Sequence, residues 1–270
     1  MRSSSRYAPK IEKEIYFSSN AIASRSFLYA FIYTDKEKYK TVGINVLESI
    51  LKTAWTDKGI KYAPRINKFF LHTQVYTLEA LLTAYQITRK EKYLKKAIEL
   101  VDTLKNEYYS SKTGIFTDHQ DIGLSFDHIS FMDDIVNLNY RVAKSLYKIY
   151  LFTGKESFKE LADKTIKRLP SKGNLSVALE YYLYLKPPLA VHYIGNFFKE
   201  TKETFKIFPF WVFSHFMSIK DKERIESLGY KPEKGFYICN TQMCFFKTKK
   251  KEKIKNKVFE IFESYKEITK

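Results

Sequence analysis

The segment LLTAYQITRKEKYLKKAIELVDTL, residues 81–104, decides the fold of this chain. Two other segments share its pattern, FLYAFIYTDKEKYKTVGINVLESI at 27–50 and LYKIYLFTGKESFKELADKTIKRL at 146–169. Each has a central threonine, with one aromatic residue three positions before it and another five positions after it. The aligned threonines are Thr34, Thr88 and Thr153. Repetition of this kind predicts three copies of one structural unit.

The second half of each copy is predicted to be a helix with one packed face. A small residue comes four positions after the second aromatic residue, and aliphatic residues follow at eight and eleven positions. This spacing places them on one side of a helix, where the small residue lets a neighbouring helix approach closely. The small residues are Gly43, Ala97 and Ala162. Each copy is therefore predicted to be a pair of helices joined by a short turn.

Long connections separate the predicted hairpins, one from Trp55 to Phe70 and one from Tyr109 to Asp134. Because all the short turns lie at one end of the hairpins, both long connections must lie at the other end, where function is expected. This arrangement predicts a mainly α fold, namely an α/α toroid. About seven helices are predicted, the seventh at Asn174–Leu185.

The composition changes after the two prolines that follow Lys186, which predicts a small C-terminal α/β appendage. The predicted domains are a helical-hairpin toroid segment at 1–186 and the appendage at 187–270. Short apolar runs predict strands, and an amphipathic stripe predicts a final helix. The predicted elements are strands at Leu189–Ile194, Phe208–Phe213, Gly235–Cys239 and Met243–Lys247, with helices at Lys222–Leu228 and Lys253–Ile268.

The net charge of +17 raises the question of a nucleic-acid or membrane partner. Apart from the run Lys247 to Lys257, the basic residues are spread singly, and only 8 of the 47 are arginine. This distribution indicates a solvated lysine surface, so no nucleic-acid partner is predicted. No apolar run reaches the ~18 residues of a membrane span, and the N-terminus lacks the apolar core of a signal peptide. The expectation is a cytoplasmic protein with no membrane partner.

The second long connection is the main candidate site, because it gathers five aspartates and two histidines between two helical patterns. Paired carboxylates near a cavity can act as general acid and base. The catalytic candidates are Asp127, His128, Asp133 and Asp134. Asp133 and Asp134 can equally be explained by stabilisation of a first helical turn. As neighbours on a helix they would point about 100° apart, so a classical pair would need Asp118, Asp121 or Asp127 as partner.

Further polar and aromatic residues near the predicted rim are candidates for substrate binding. They are Asn20, His72, Phe116, Asp118, His119, Asp121, Phe126 and Phe131. Asn20 can instead cap a first helix that begins near Ser19, and His72 can be an ordinary packing residue. The pairs Asp118-His119 and Asp127-His128 carry metal-type ligands, but no helical spacing holds them together. No metal and no cofactor are predicted.

Two cysteines, Cys239 and Cys244, leave three interpretations open: a mutual disulfide, a metal site completed by histidine, or inert thiols. They are also the redox candidates of the chain. Their spacing is not Cys-x-x-Cys, and neither follows a predicted helix N-terminus that would lower a thiol pKa. Redox activity therefore ranks below the other hypotheses.

Four stretches carry a family resemblance: KIEKEIYFSSNAIASRSFLYAFIYT from Lys10, YTLEALLTAYQITRKEKYLKKAIEL from Tyr76, PPLAVHYIG from Pro187 and GFYICNTQMCFF from Gly235. In their order and spacing the chain, from about Pro9 to Cys244, resembles the C-terminal half of the thioredoxin-domain-containing, spermatogenesis-associated family. That family joins a thioredoxin-like domain to a six-hairpin toroid of the glycosidase type. The resemblance implies that the toroid predicted here is a partial six-hairpin, glycosidase-like barrel.

Departures from the family pattern lie at the rim. Ser19-Asn20 replaces a Trp-Asn pair, His72-Thr73-Gln74 replaces an acidic pair, and Met132-Asp133-Asp134 replaces a Pro-Ser-Gly-Asn segment. The resemblance therefore implies a non-catalytic or catalytically degenerate half-toroid. A separately encoded thioredoxin-like partner would complete the ring, because an open ring would expose apolar first-helix residues such as Phe27, Phe31 and Tyr85. The alternative is a carbohydrate-active or carbohydrate-binding toroid that uses rim carboxylates.

Overall fold

A computed structural model describes residues 14–118, 129–169, 189–196, 202–206, 212–240 and 242–267. The first half of the chain forms three helical hairpins. Their helices are α1 (Phe17–Thr34), α2 (Glu37–Thr53), α3 (Leu71–Thr88), α4 (Glu91–Glu107), α5 (Ile129–Thr153) and α6 (Glu156–Arg168). Helices α1, α3 and α5 pack side by side as an inner layer, with α3 in the middle, and each packs against the second helix of its own hairpin.

The three hairpin turns have the same geometry. In each, the threonine hydroxyl donates to the carbonyl oxygen four residues earlier, at 2.6, 2.7 and 2.8 Å. The next residue is left-handed, with φ of 60°, 60° and 70°, and its N–H donates to the carbonyl of the aromatic residue that precedes the threonine by three positions. The left-handed residues are Asp35, Arg89 and Gly154. The repeat predicted from Thr34, Thr88 and Thr153 is therefore one turn built three times.

The predicted small residue allows close packing within the first hairpin. The Ser24 hydroxyl donates to the Gly43 carbonyl at 2.7 Å, so α1 and α2 touch through the backbone. A Cβ atom on Gly43 would lie 2.9 Å from both Leu28 Cγ and the Ser24 carbonyl oxygen, closer than real Cβ contacts. Ala97 and Ala162 occupy the corresponding positions and are fully buried.

Each long connection contains a short antiparallel ladder that the sequence analysis did not predict. The ladders are β1 (Trp55–Thr56) with β2 (Gly59–Ile60), and β3 (Tyr109–Ser110) with β4 (Ile115–Phe116). An amide side chain from the following inner helix holds each ladder. Gln74 Oε1 accepts from the Ile60 N–H at 2.7 Å and Gln74 Nε2 donates to the Ile60 carbonyl at 2.8 Å. Asn139 makes the same two bonds to Phe116, both at 2.8 Å.

Both connections lie at the N-terminal ends of the inner helices, as far as they are described. The Phe17 N–H at the start of α1 donates to the Tyr62 carbonyl at 3.0 Å. The Leu71 N–H at the start of α3 donates to the Asp118 carboxylate. Each connection therefore closes the start of the preceding inner helix, which defines the rim as this end of the molecule.

The C-terminal part contains a four-stranded mixed sheet and short helices. Its strands are β5 (Leu189–Gly195), β6 (Val212–Ser218), β7 (Gly235–Cys239) and β8 (Cys244–Thr248), in the order β6-β5-β7-β8. Only β5 and β6 are parallel. Helices α7 (Lys202–Phe205), α8 (Lys222–Ser227) and α9 (Glu252–Glu267) accompany them.

Two predictions for this part need correction or lie outside the description. Of the strand predicted at Phe208–Phe213, residues 208–211 lie outside the described residues, whereas Val212 and Phe213 belong to the observed strand. That strand continues to Ser218 through two buried polar residues, Ser214 and His215. The prediction stopped at Phe213 because this polar pair interrupts the apolar run. The helix predicted at Asn174–Leu185 lies outside the described residues.

The sheet packs on both faces. On one face Ile254, Val258 and Ile261 of α9 join the apolar residues of β5, β6 and β7. On the other, Ala190 and Phe213 belong to the same core as the inner helices. The predicted boundary between 186 and 187 stays a prediction, and this shared core shows that the two parts are packed together.

The sheet also changes the argument for a ring-completing partner. Phe31 is 4% exposed and Tyr85 0% exposed within this chain alone, and Phe27 is partly buried. The expectation that these inner-helix residues need a second polypeptide to cover them is therefore wrong. In the part of the chain that is described, no helix is both long and apolar enough to cross a membrane.

Candidate functional site

The inner helices carry a polar stripe at matching repeat positions. Nine residues before each turn threonine stand Arg25, Glu79 and Lys144, and five residues before it stand Tyr29, Thr83 and Lys148. Positions separated by four residues lie on one side of a helix. Because α1, α3 and α5 are neighbours, the three stripes form one surface, which we call the inner face.

An ion cluster on the inner face joins all three inner helices. Glu79 on α3 accepts from Arg25 Nη1 on α1, and Arg141 Nη1 on α5 lies 3.1 and 3.2 Å from its two carboxylate oxygens. The Glu79 side chain is 13% exposed, whereas those of Arg25 and Arg141 are 26% and 37% exposed. The carboxylate is therefore held between two partly exposed guanidinium groups, which are multiple hydrogen-bond donors.

The deep end of the inner face, next to the sheet, carries a buried amine. Burial, assisted by the nearby charge of Lys144, lowers the pKa of Lys148 to about 7. Its ammonium group lies 5.0 Å from the centre of the Phe213 ring. Burial also raises the pKa of Tyr29, which shares this region. Near neutral pH the deep end therefore holds an amine that is only partly charged.

The rim end of the inner face is aromatic. The His72 ring stacks on Phe70 at 5.6 Å and meets Tyr62 edge-on at 5.7 Å and Tyr76 at 6.2 Å, all between ring centroids. The Arg141 guanidinium lies 5.5 Å from the centre of the Tyr76 ring, so the aromatic group and the ion cluster adjoin. All four rings are partly exposed. Flat apolar surfaces thus lead directly to charged hydrogen-bonding groups.

The predicted binding residues that are described fall into different environments. His72 lies in this rim group. Asp118 accepts from the backbone at the start of α3, which is a capping role. Asn20 is not the N-cap, because α1 begins at Phe17, and its Nδ2 donates to the Tyr16 carbonyl at 2.9 Å. Phe116 is 0% exposed and packs against Tyr109, so the expectation that it stacks on a sugar is wrong.

The remaining candidates are described only in part. His119, Asp121, Phe126, Asp127 and His128 lie outside the described residues. The backbone of α5 begins at Ile129, so Phe131, Asp133 and Asp134 belong to this helix, and the prediction that Asp133-Asp134 opens it is wrong by one turn. Among the residues that the structure describes, no group of His, Cys, Asp and Glu side chains is arranged to hold a metal ion.

Sequence reasoning missed the ion cluster. Arg25, Glu79 and Arg141 resemble ordinary charged positions on amphipathic helices, which are usually solvated. The repeat register was a partial signal, because Arg25 and Glu79 fall at one repeat position, which Lys144 occupies in the third copy. Charges at a shared position indicate a shared surface. The third member, Arg141, lies three residues before Lys144, and the register does not mark it.

The two cysteines form a disulfide, Cys239–Cys244, across β7 and β8. Of the three interpretations, mutual pairing is the observed one, and the metal site and the inert thiols are not. Disulfides are typical of oxidising compartments. The pairing therefore does not fit the cytoplasmic expectation drawn from the N-terminus.

Comparison with known proteins identifies the architecture. No known family profile matches the chain, and no curated protein matches it in sequence. The GH76A alpha-1,6-mannanase from Salegentibacter sp. matches in structure with a TM-score of 0.51 and 17% identity, over 63% of this chain and 57% of that one. A protein from Listeria innocua matches with 0.51 and 13% identity, over 63% and 54%. The helical part is an α/α toroid segment.

A third solved structure agrees. A family 76 glycoside hydrolase from a bovine Bacteroides thetaiotaomicron strain has a TM-score of 0.50 and 14% identity, over 61% of this chain and 37% of that one. A variant of the Salegentibacter mannanase with two consecutive aspartates replaced by alanine, described as inactive, was solved with alpha-1,6-mannotetrose. It matches with a TM-score of 0.51 and the same coverage. The chain spans about half the length of these toroids. The predicted fold class is confirmed.

Proposed function

We propose that this chain supplies three hairpins of a carbohydrate-active α/α toroid and that a saccharide lies along the inner face. The carrying observation is the junction of Tyr76 with Arg141. There an aromatic surface, suited to the apolar face of a sugar ring, meets the Arg25–Glu79–Arg141 cluster, whose planar groups can bond to hydroxyls. This choice corresponds to the alternative reading of the sequence rather than to its first reading.

Catalysis would come from Asp133 and Asp134. They precede Arg141 on α5 by eight and seven positions, a spacing of about two helical turns. Glycoside hydrolysis requires two carboxyl groups, one as acid and the other as base or nucleophile. Their adjacency counted against such a pair, but two mannanase variants in which two consecutive aspartates were replaced are both described as inactive. That description supports a catalytic role for consecutive aspartates in a toroid of this type.

The first reading of the sequence, a degenerate half-toroid that binds a thioredoxin-like protein, has less support. Nothing in the comparisons points to a thioredoxin domain, and the burial of Phe31 and Tyr85 removes its main argument. A ring-completing polypeptide of some kind retains one supporting observation. In the first hairpin the apolar residues Ile22, Tyr33 and Val42 are each 40–49% exposed.

The experiment is a binding and cleavage assay with alpha-1,6-mannotetrose as the first probe, followed by a panel of other neutral oligosaccharides. Calorimetry would measure binding, and chromatography of the products would measure cleavage. We expect the Asp133→Asn/Asp134→Asn double variant to bind without cleaving and Tyr76→Ala to bind at least tenfold more weakly. Tyr39→Ala, on the outer helix α2, is the matched control and should leave both unchanged.

Two results would count against the proposal. A folded wild-type chain that neither binds nor cleaves any saccharide of the panel would remove it. Cleavage that survives in the double aspartate variant would remove the assignment of Asp133 and Asp134. Mass measurement in solution would decide whether a second polypeptide, including a second copy of this chain, has to be present.

A further inference from the structure

Charge is unevenly divided along the inner helices. Asp133 and Asp134 stand near the start of α5, on the rim side. Apart from this pair, the sequences of α1, α3 and α5 contain one carboxylate, that of Glu79. They contain four cationic side chains, those of Arg25, Arg141, Lys144 and Lys148. Beyond the rim, the inner helices therefore carry an excess of positive charge.

Glu79 offsets only part of this excess. Its carboxylate accepts from both Arg25 and Arg141, so it is already shared between two guanidinium groups. Lys148 Nζ has neither a hydrogen bond nor an ion pair with the residues that the structure describes, and it lies 5.0 Å from the centre of the Phe213 ring. A crowded ammonium group without an acceptor is costly, because its hydration is reduced and nothing replaces it.

Lys148 stands in a recess of the inner face. Burial is the main cause that lowers the pKa of Lys148 to about 7, and the charge of Lys144 acts in the same direction. Glu79 on α3 raises this pKa and Arg25 on α1 lowers it, so the amine lies within electrostatic reach of all three inner helices. Solvent nevertheless reaches Nζ, and the Lys148 side chain keeps some exposure. A ligand atom can therefore take the place of water beside the amine.

The missing partner of Lys148 has a definite chemistry. An anion beside it would accept its hydrogen bonds and would reduce the repulsion between Lys148 and Lys144. A neutral hydroxyl could accept a hydrogen bond but would leave the repulsion unchanged. In a recess the attraction between opposite charges is stronger than at an open surface, because less water screens them. A carboxylate or a phosphate is therefore the ligand group that this region favours.

We propose that the deep end of the inner face binds a negatively charged group carried by the saccharide, so that the preferred ligand is an acidic sugar. This inference rests on the function proposed above and names the substrate class of the same site. Lys148 follows Asp134 by fourteen positions, so the acidic group would lie about 21 Å along α5 from the aspartate pair. At that distance the group is recognised and takes no part in the cleavage.

The test compares methyl α-mannopyranoside with two derivatives that differ from it only at C6, where one has a carboxylate and the other a phosphate ester. Calorimetry at pH 6, where Lys148 is largely protonated, measures the affinity of each. We expect at least one charged derivative to bind roughly tenfold more tightly than the neutral sugar, which is the order of one hydrogen bond between charged groups. The tighter of the two identifies the acidic group.

Lys148→Met keeps the length of the side chain and removes its charge, so the charged derivatives should lose most of their advantage over the neutral sugar. Lys52→Met removes an exposed charge from the outer helix α2 and is the matched control, in which the advantage should remain. If Lys148→Met does not fold, the wild-type chain at pH 9 takes its place. Deprotonation of Lys148 should then reduce the advantage of the carboxylate derivative.

Three results would overturn the inference. They are equal affinity of the wild type for charged and neutral sugars, an advantage that survives in Lys148→Met, and inorganic phosphate that binds as tightly as the phosphate ester. If alpha-1,6-mannotetrose still binds in these cases, the saccharide function stands and only the acidic preference is lost. If no saccharide binds, neutral or charged, both proposals fail.

Discussion

Gln86 Nε2 on α3 donates a hydrogen bond of 2.7 Å to the main-chain oxygen of Ser214 on β6. This bond joins the middle inner helix to an edge strand of the sheet, and both groups are buried. Arg224 adds a second link between the two parts, because its Nη2 donates to the Tyr85 hydroxyl and its Nη1 to Glu91. The sheet is thus tied to the inner helices by directional bonds as well as by apolar contact.

Replacement of Gln86 by leucine should loosen the sheet. The Ser214 carbonyl would remain buried without a donor, which costs about 1–3 kcal/mol of unfolding free energy. Hydrogen exchange should accelerate in β6 more than in α1 or α2. Asn106→Leu, the same kind of change at an exposed position of α4, is the control. It should change neither the unfolding free energy nor the rate of exchange in β6. Equal acceleration throughout the chain would show that the bond does not act locally.

The amide side chains of Gln74 and Asn139, which we call clamps, each hold a ladder by two hydrogen bonds. They predict a graded series of losses in unfolding free energy. Gln74→Ala and Asn139→Ala each leave one N–H and one carbonyl of a ladder without partners in a buried place, so we expect a loss of roughly 2–4 kcal/mol. Asn20 stands at the same repeat position but makes a single partly exposed bond, and Asn20→Ala should cost about 1 kcal/mol or less. Urea unfolding measures all three. If Asn20→Ala lowered the unfolding free energy as much as the other two changes, the hydrogen bonds to the ladders would not be the cause of the losses.

Close packing at Gly43 predicts that a single methyl group destabilises the chain. Gly43→Ala would drive Cβ against Leu28 and the Ser24 backbone, and overpacking of this kind costs about 1–3 kcal/mol in spite of the better helix propensity of alanine. Gly→Ala at a helix position with open space would instead stabilise. Thermal unfolding shows directly whether Gly43→Ala stabilises or destabilises the chain. A raised melting temperature would mean that α1 and α2 can move apart without a loss of stability.

Lys148 predicts a pH dependence with a definite direction. Its pKa is about 7 in the folded chain against an ordinary value of 10.5, so between these values the unfolded chain binds more protons. The free energy of unfolding should therefore rise with pH across this window. Lys148→Met removes the cost of a buried ammonium and should stabilise the chain at pH 6 by roughly 1–3 kcal/mol, a figure reduced because the side chain keeps some exposure.

The advantage of Lys148→Met should shrink as the pH rises from 7 towards 10, as followed by urea unfolding at several pH values. The exposed Lys52 on α2 supplies the control, since Lys52→Met should give a difference that does not change with pH. A stability difference for Lys148→Met that is constant across the window would show that packing, rather than ionisation, sets the effect.

The helical hairpins were predictable because the same spacing of aromatic, small and aliphatic residues around a threonine occurs in three copies. A position that is ambiguous in one copy is therefore assigned from the other two. The ladders in the connections were not predictable, because strands of two residues such as Trp55–Thr56 show no alternation and depend on Gln74, an amide that lies 14 positions beyond Ile60. The ion cluster was overlooked for a related reason. Its three members lie on different helices, and only the packing of α1, α3 and α5 brings Arg25, Glu79 and Arg141 together.

The clamps of Gln74 and Asn139 also determine where this chain can be divided. Each one fastens a connection to the helix after it, so the natural building block runs from one threonine turn to the next. It contains an outer helix, a ladder and the following inner helix, and so crosses the boundary between two hairpins. Repeats exchanged or removed in whole hairpins would separate every clamp from its ladder. Cuts placed just after Asp35 or Arg89 would keep each pair intact, and new termini should be tolerated there better than ahead of Leu71.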